Sequence, residues 1–328
     1  MDILLTSLAF IAATLCAALM GYAIQRGATC TVAAVDELVN RRGARRLLAL
    51  AEAALWVGGG LLVANVLHVL PPMPAAGYAA GAWTLAGGAL LGVGAWVNRA
   101  CVFGAIARLG SGEWAYALTP LGFYVGCLSV GPLFGAPATR HLARTSPVLL
   151  APAWLALPFL GFVAWRVVGL VVRGAQDWRA RLWQPHQATL IIGVSFLAML
   201  MLVGAWAYTD LLAELARGMA ASLAARVLLL LALLGGAAWG GLSAGRWCAA
   251  WPTAAQLLRC FGGGLLMGWG SLLIPGGNDG LILVGMPLLW PYAWLAFATM
   301  CVAIASAQLL QRAWRARAES HISITRAP

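Results

Sequence analysis

Two short segments of this 328-residue chain each place an arginine close to a cysteine. They are Arg26, Gly27 and Cys30 in one segment, and Asn98, Arg99 and Cys101 in the other. A guanidinium attracts an anion, and glycine lets backbone N–H groups approach it. A thiol is a weak hydrogen-bond donor without a fixed charge, which suits a soft sulfur-containing anion. The combination predicts a path for such an anion.

Each of these residues also has a structural interpretation. Arg26 can cap the cytoplasmic end of the first apolar run, and cysteine is often a small buried packing residue. Asn98 is costly in lipid, so we expect it to face a partner or a cavity. Because arginine and cysteine are paired twice, the sequence favours the functional interpretation of both segments.

The other five of the seven cysteines give weaker signals. Cys248 follows Arg246 and is a secondary candidate for the path. Cys16, Cys127 and Cys301 have the apolar surroundings that are typical of packing residues, and Cys260, which begins a span beside Arg259, is interpreted as structural. The odd count and the absence of a CxxC motif argue against a disulfide framework and a zinc site. The sequence contains no metal-ligand set, nucleotide loop or nucleophile–base pair, so it predicts no metal, no cofactor and no enzyme.

A third candidate segment, residues 275–280, lies between two apolar runs and contains Gly277, Asn278 and Asp279. A tight turn between helices is the simple interpretation of its Pro-Gly-Gly-Asn-Asp-Gly sequence. The functional interpretation is an unwound segment whose backbone amides and Asn278 contact the substrate, while Asp279 holds a nearby arginine.

The composition requires a membrane. Hydrophobic residues make up 62% of the chain and charged residues 9%, whereas a soluble domain has about 25% charged residues. The main solvent must therefore be the lipid bilayer. Apolar runs long enough to span it, at roughly 20 residues each, number nine. They are residues 3–24, 47–70, 78–97, 114–135, 147–172, 186–208, 222–241, 258–274 and 291–311.

The arginines orient the chain. All 21 basic residues are arginine, and their clusters follow the first, third, fifth, seventh and ninth runs. The positive-inside rule then predicts a multi-pass protein of the bacterial inner membrane, with its N-terminus outside and its C-terminus cytoplasmic. Arg140 and Arg144 are the main exceptions. No soluble basic face remains that could bind nucleic acid, and residues 315–328 are predicted to form a cytoplasmic polar tail.

Four segments that are Gly-rich or mix polar and apolar residues adjoin the spans. They do not fit a simple succession of spanning helices joined by loops. Short helices that enter the membrane and turn back would explain them, and such breaks are typical of transport sites. The segments are residues 25–40, 99–110, 243–250 and 275–290.

Two glycine-rich runs resemble each other. Residues 87–94 match residues 263–270 at an offset of 176, and Gly104 falls on Gly280 at the same spacing. Gly-rich membrane helices also resemble one another by chance. The repeat interpretation predicts an all-α bundle of about nine spans plus re-entrant helices, in two pseudo-symmetric halves with the site between them. The predicted boundaries are 1–314 for a single transmembrane domain, about 1–172 for its first half and about 186–314 for its second.

On these motifs the chain resembles the YeeE/YedE family of sulfur-compound transporters over nearly its whole length. The resemblance implies an hourglass-shaped bundle and uptake of thiosulfate, which passes between membrane-buried cysteine thiols. It also implies a small cytoplasmic sulfur-carrier protein as a receiving partner. Cys30 and Cys101 match two of the family's cysteines, whereas Gly277 stands where many members have a third. Either Cys248 substitutes for that cysteine, or this chain handles its substrate differently.

Two functions remain open at this point. The first is transport of thiosulfate or a related small sulfur-containing anion. The second is a membrane thiol oxidoreductase, or an accessory membrane subunit of sulfur metabolism, which requires two cysteines close enough to form a disulfide. The lack of CxxC weighs against the second function. A metal-ion permease is disfavoured because buried carboxylates are scarce.

Overall fold

The protein is almost entirely helical in a computed structural model, which describes residues 2–70, 77–135, 141–142, 145–173, 179–218 and 223–325. The helices are α1 (Asp2–Gly27), α2 (Thr31–Arg41), α3 (Arg45–Val66), α4 (Ala82–Asn98), α5 (Val102–Leu109), α6 (Leu118–Phe134), α7 (Ala156–Arg173), α8 (Pro185–Val203), α9 (Tyr208–Ala216), α10 (Leu223–Ser243), α11 (Ala254–Leu273), α12 (Asn278–Gly280) and α13 (Pro291–Thr325). A π-helix, Leu281–Gly285, continues α12 directly. The short strands β1 (Gly77–Tyr78) and β2 (His141–Leu142) pair antiparallel.

Seven helical segments among the described residues are long and apolar enough to cross a membrane. An eighth forms if α11 is joined to Asn278–Gly285, from which it is bent by 51°. The one predicted run that remains, residues 147–172, contains α7, whose apolar part is shorter. The chain is thus an all-α polytopic membrane protein, as its composition predicted, and the count of nine spans stays a prediction.

Short helices occur within three of the four Gly-rich or mixed segments for which the sequence predicted them. Helices α2, α5 and α12 each begin a few residues after the end of a long helix, and the break before α12 is bent by 51°. The fourth segment, residues 243–250, differs: α10 ends at Ser243, and the chain continues without a helix to residue 253. The expected short helix is therefore absent there.

The order of the helices repeats along the chain. Helices α1–α6 and α8–α13 both run long, short, long, long, short, long, and α7 lies between the two sets. The packing repeats as well: α1 packs on α10 as α8 packs on α3, and α4 packs on α13 as α11 packs on α6. Two further contacts join the sets, and each is between helices that occupy the same place in the two sets: α1 with α8 and α4 with α11.

The two ends of the bundle are defined by contacts between helix termini. At one end, the Trp183 amide donates to the Arg26 carbonyl (3.0 Å) and the Cys248 amide to that of Ser111 (3.0 Å). At the other end, the Ser146 hydroxyl donates to the Leu288 carbonyl at 2.7 Å. The first end carries the arginines that follow the odd-numbered runs, and we call it the arginine-rich end. The predicted exceptions Arg140 and Arg144 lie outside the described residues.

Most of the predicted polar tail continues α13. This helix ends at Thr325, so residues 315–325 are helical, and residues 326–328 lie outside the described residues. The predicted division of the chain into a transmembrane domain and a tail stays a prediction.

A buried ion network attaches α7 to the bundle. The Glu52 carboxylate of α3 pairs with Arg166 of α7 at 2.7 Å and with His186 of α8. The Trp56 indole also donates to this carboxylate at 3.3 Å. Charges at this depth persist only when they are paired, so the network fixes where α7 meets α3 and α8.

Candidate functional site

Cys30 and Cys101, the two cysteines singled out from the sequence, lie against each other. The Cys101 amide donates to Cys30 Sγ at 3.5 Å, and the two thiols are hydrogen-bonded. The Thr31 amide donates to Cys101 Sγ at 3.1 Å. Cys101 is fully buried, whereas Cys30 is half-buried. The structure therefore brings together two thiols that are 71 positions apart in the sequence.

Both cysteines occupy the residue that precedes the first turn of a helix. Cys30 precedes α2 and Cys101 precedes α5, and both have extended backbone. The first amides of a helix lack intrahelical partners and carry the positive end of its dipole. The thiol pair thus lies where two helix N-termini favour an anion.

Gly104 allows the thiol pair to pack closely. A Cβ atom at this position would lie 2.6 Å from Cys30 Sγ. Any larger residue would push the sulfur away or displace α2. The glycine that closes the repeat match in the sequence is therefore required next to the thiol.

Asn278 extends the site into the second copy of the repeat. It is completely buried, and its Oδ1 accepts a hydrogen bond from the Thr31 hydroxyl at 3.4 Å. Its Nδ2 has no acceptor among the described residues. An unsatisfied buried donor costs about 1–3 kcal/mol, so this amide has spare binding capacity beside the thiols.

Asp279 differs from its sequence-based interpretation. Its carboxylate accepts from the Thr209 amide at 3.3 Å, from the Thr209 hydroxyl and from the Gly280 amide at 3.0 Å. The expectation that Asp279 holds an arginine was wrong: it caps the start of α9 instead. A carboxylate at that position satisfies free helix amides and complements the dipole, so it needs no cation.

Gly277 lies directly beside Thr209. A Cβ atom on Gly277 would lie 2.2 Å from Thr209 Oγ1. Gly277 precedes α12 as Cys101 precedes α5. The Thr209–Asp279 contact thus fills the space that a side chain at this position would need.

A cavity of about 430 Å³ lies at the arginine-rich end and reaches Cys30 and Gly104. We call it the inward cavity, after the orientation that we propose below. Four arginines and two acids are among its lining residues: Arg46, Arg99, Arg108, Arg246, Asp36 and Glu113. Glu113 pairs with Arg108 at 3.1 Å. The excess of guanidinium groups makes this cavity attractive to anions.

A second cavity of about 260 Å³ lies at the opposite end, and we call it the outward cavity after the same proposed orientation. It reaches Gly280 and Asp210, which contact each other: a Cβ atom on Gly280 would lie 3.6 Å from the Asp210 carboxylate. Arg226 and Glu214 form an ion pair in its wall. Four buried residues at the starts of α2, α5 and α12 line neither cavity, and we call them the constriction: Thr31, Cys101, Val102 and Asn278.

Two of the predicted path residues have structural contacts instead. Arg26 donates to Ser243 Oγ at 3.4 Å and to the Ala180 carbonyl, and its guanidinium lies over the Tyr22 and Trp183 rings. It therefore anchors the end of α1, as its capping interpretation proposed, and does not line either cavity. A Cβ atom on Gly27 would lie 2.2 Å from Ala188 Cβ, so Gly27 allows α1 to pack on α8.

Asn98 and Cys248 lie beside the site. The Asn98 amide donates to the Ala100 carbonyl at 2.8 Å and its Oδ1 accepts from Thr119 at 3.1 Å, which braces the turn before Cys101. Cys248 is exposed in the segment after α10 and lines neither cavity. Its position gives no support to the idea that it replaces a third path cysteine.

Sequence reasoning missed Thr31 and Thr209. Thr31 contacts Cys101 and Asn278, while Thr209 contacts Asp279. Both residues lie at the start of a short helix, and both amides donate to the residue opposite. Their offset of 178 positions is close to the repeat offset, which is the signal that would have found them.

Comparison with known proteins identifies the family of this chain. A family model described as sulphur transport matches residues 26–306, which include all four residues of the constriction and most lining residues of both cavities. No curated protein matches the chain significantly. The matched region covers well over half of the chain, so this protein belongs to the YeeE/YedE sulfur transport family.

Proposed function

We propose that this protein takes thiosulfate, or a related small sulfur-containing anion, through the bacterial inner membrane along Cys30 and Cys101. Membership of a sulfur transport family supports a transporter of a small anion. The observation that supports the finer proposal is the thiol pair: Cys30 lines the inward cavity, and the buried Cys101 lies against it at the start of α5. In this proposal, an anion that moves from the outward to the inward cavity passes these thiols.

The proposed mechanism uses a series of weak sites. The anion enters the outward cavity and reaches the buried thiol of Cys101, then that of Cys30, through S–H hydrogen bonds. Thiols bind weakly, and conduction requires sites that release the ion as readily as they bind it. The helix N-termini at Cys30 and Cys101 offset the cost of bringing negative charge to this depth.

The inward cavity completes the proposed path. Its arginines receive the anion once it has passed Cys30, which favours movement towards that end. Arg99 and Arg246 are path residues in this proposal because both line the cavity. With the arginine-rich end cytoplasmic, the N-terminus is outside. A small cytoplasmic sulfur-carrier protein would then meet the anion at this cavity.

We also propose that α1–α6 and α8–α13 are two pseudo-symmetric halves with the path between them. The repeated helix order and the matched packing of α1 on α10 and α8 on α3 support this. In such an arrangement the second half contributes Asn278 to the site, opposite the two thiols of the first half.

Uptake of radiolabelled thiosulfate into proteoliposomes tests the transport proposal. We expect Cys101→Ala to abolish saturable uptake, while Cys127→Ala, a buried cysteine of α6 outside the path, retains it. Growth of cells on thiosulfate as sole sulfur source should follow the same pattern. Undiminished uptake by Cys101→Ala would refute the cysteine path.

A thiol oxidoreductase is the second candidate function, and the direct contact of Cys30 with Cys101 favours it. Such an enzyme must alternate between a dithiol and a disulfide during each turnover. Counting free thiols before and after exposure to thiosulfate distinguishes the two functions. Transport leaves the count unchanged, whereas loss of two thiols per chain on reaction would favour the oxidoreductase.

A further inference from the structure

The constriction and the adjacent Cys30 together present two kinds of hydrogen-bond donor. Cys30 and Cys101 present thiols, which suit a sulfur atom of the substrate. Asn278, which comes from the second copy of the repeat, presents an amide, which suits a harder oxygen acceptor. A thiol and an amide at one site therefore distinguish the two ends of an asymmetric ion.

The amide of Asn278 is positioned for this purpose by its neighbours. The Thr31 hydroxyl donates to Oδ1 at 3.4 Å, and the Thr31 amide donates to Cys101 Sγ at 3.1 Å. One residue thus holds both the asparagine and the thiol. The two Nδ2 hydrogens remain without an acceptor in the described structure, although the residue is completely buried.

Neither sequence neighbour of Asn278 accepts a hydrogen bond from its side-chain amide, which therefore remains a donor for a ligand. Asp279, the adjacent carboxylate, is already bound by Thr209 and by the Gly280 amide. Gly277, on the other side, has no side chain that could accept. A buried donor that the protein itself does not satisfy is an open position for an acceptor that arrives with the substrate.

We propose that Asn278 is a selectivity residue that binds an oxygen atom of the transported anion while the thiols bind its sulfur. The inference rests on the proposed transport function and narrows its substrate class to sulfur oxyanions with an exposed sulfur, of which thiosulfate is the simplest. An anion with sulfur alone, or with oxygen alone, would satisfy only one part of the site.

Competition in the proteoliposome uptake assay tests this assignment. Unlabelled hydrosulfide probes the sulfur position and sulfate probes the oxygen position, each against labelled thiosulfate. We expect Asn278→Leu, which has nearly the same shape without the donor, to raise the KM for thiosulfate and the inhibition constant of sulfate about 10-fold or more. The inhibition constant of hydrosulfide should stay unchanged.

Two further variants keep the test decisive. Asn278→Asp retains the acceptor for Thr31, so it preserves the local structure, yet it replaces the amide donor by a carboxylate that repels an oxyanion. We expect it to lose thiosulfate uptake at least as strongly as Asn278→Leu. Cys30→Ser is the matched control for the other end of the ion, and it should weaken inhibition by hydrosulfide more than inhibition by sulfate.

The outcomes separate this inference from the proposed function. Absence of saturable thiosulfate uptake by the wild-type protein would contradict the transport proposal itself. If the wild-type protein transports thiosulfate, an unchanged KM in both Asn278 variants overturns the selectivity role. A parallel rise of the hydrosulfide and sulfate inhibition constants would also overturn it, because that result indicates a general structural defect.

Discussion

Gly94 and Gly263 bring the backbones of α4 and α11 into direct contact. A Cβ atom on Gly94 would lie 2.8 Å from the Gly263 carbonyl oxygen, and one on Gly263 would lie 2.7 Å from that of Gly94. Gly87 and Gly270 make the same reciprocal contact at 2.7 and 2.5 Å. A twofold operation that exchanges the two copies of the repeat would map one contact onto the other. The glycine repeat therefore forms the surface along which the two copies meet.

Alanine at this contact should destabilise the bundle. We expect Gly263→Ala to lower the free energy of unfolding by about 1–3 kcal/mol, because the added methyl group meets backbone that cannot move away. The matched control is Gly262→Ala on the same helix, where an added Cβ meets no atom within 4 Å. It should be neutral, or stabilising by up to about 1 kcal/mol. Unfolding of the purified protein in detergent compares the two, and equal effects would contradict the close contact.

Oxidation should block the proposed path reversibly. A disulfide between Cys30 and Cys101 removes both S–H donors from the proposed path, so treatment with a thiol oxidant should stop thiosulfate uptake and a reductant should restore it. Cys248→Ala removes the exposed cysteine and should respond in the same way as the wild-type protein. Full uptake by protein whose Cys30–Cys101 disulfide has been verified by mass spectrometry would argue against the thiol relay.

Uptake should depend on external pH through Asp210. Its burial raises the pKa of this carboxyl to about 7, with smaller contributions from the other charges that face it. Those groups are Asp279 and Glu214, which raise the pKa, and Arg226 and Arg217, which lower it. Below this pKa the group is neutral, and above it the negative charge opposes an anion in the outward cavity. Uptake should therefore fall as external pH rises through about 7.

Two variants check this pH dependence in the proteoliposome assay. Asp210→Asn should flatten the profile and increase uptake at pH values above the wild-type transition. Asp36→Asn, which changes a carboxylate of the inward cavity, should retain the wild-type response to external pH. A wild-type profile in Asp210→Asn would exclude this residue as the titrating group.

The buried ion network at α7 should be important for stability. Glu52→Gln leaves Arg166, whose side chain is only 16% exposed, without its counter-charge. Removal of one partner from a buried pair costs about 3–5 kcal/mol. Glu37→Gln is the control, because its partner Arg46 is 38% exposed, and such a pair contributes about 0–1 kcal/mol. Similar losses of unfolding free energy in the two variants would contradict a special role for the network.

The sequence was sufficient for properties that depend on composition and on short-range pattern. Its apolar content required a membrane, since no soluble fold of this length buries so much hydrophobic surface. The glycine runs at 87–94 and 263–270 revealed the repeat, because close helix packing in lipid requires small residues at regular spacing. Cys30 and Cys101 could also be selected from the sequence, because each has an arginine a few positions away and this pairing is a short-range pattern.

Only the tertiary structure decided which of these residues meet. Contacts such as Cys30 with Cys101 and Thr31 with Asn278 join positions 71 and 247 residues apart, and they depend on how the helices pack. The partner of Asp279 was wrongly predicted because a free helix N-terminus competes with arginine for a carboxylate, and the α9 terminus is visible only once the chain has folded. A sequence specifies which groups are available, whereas helix packing determines which of them share a site.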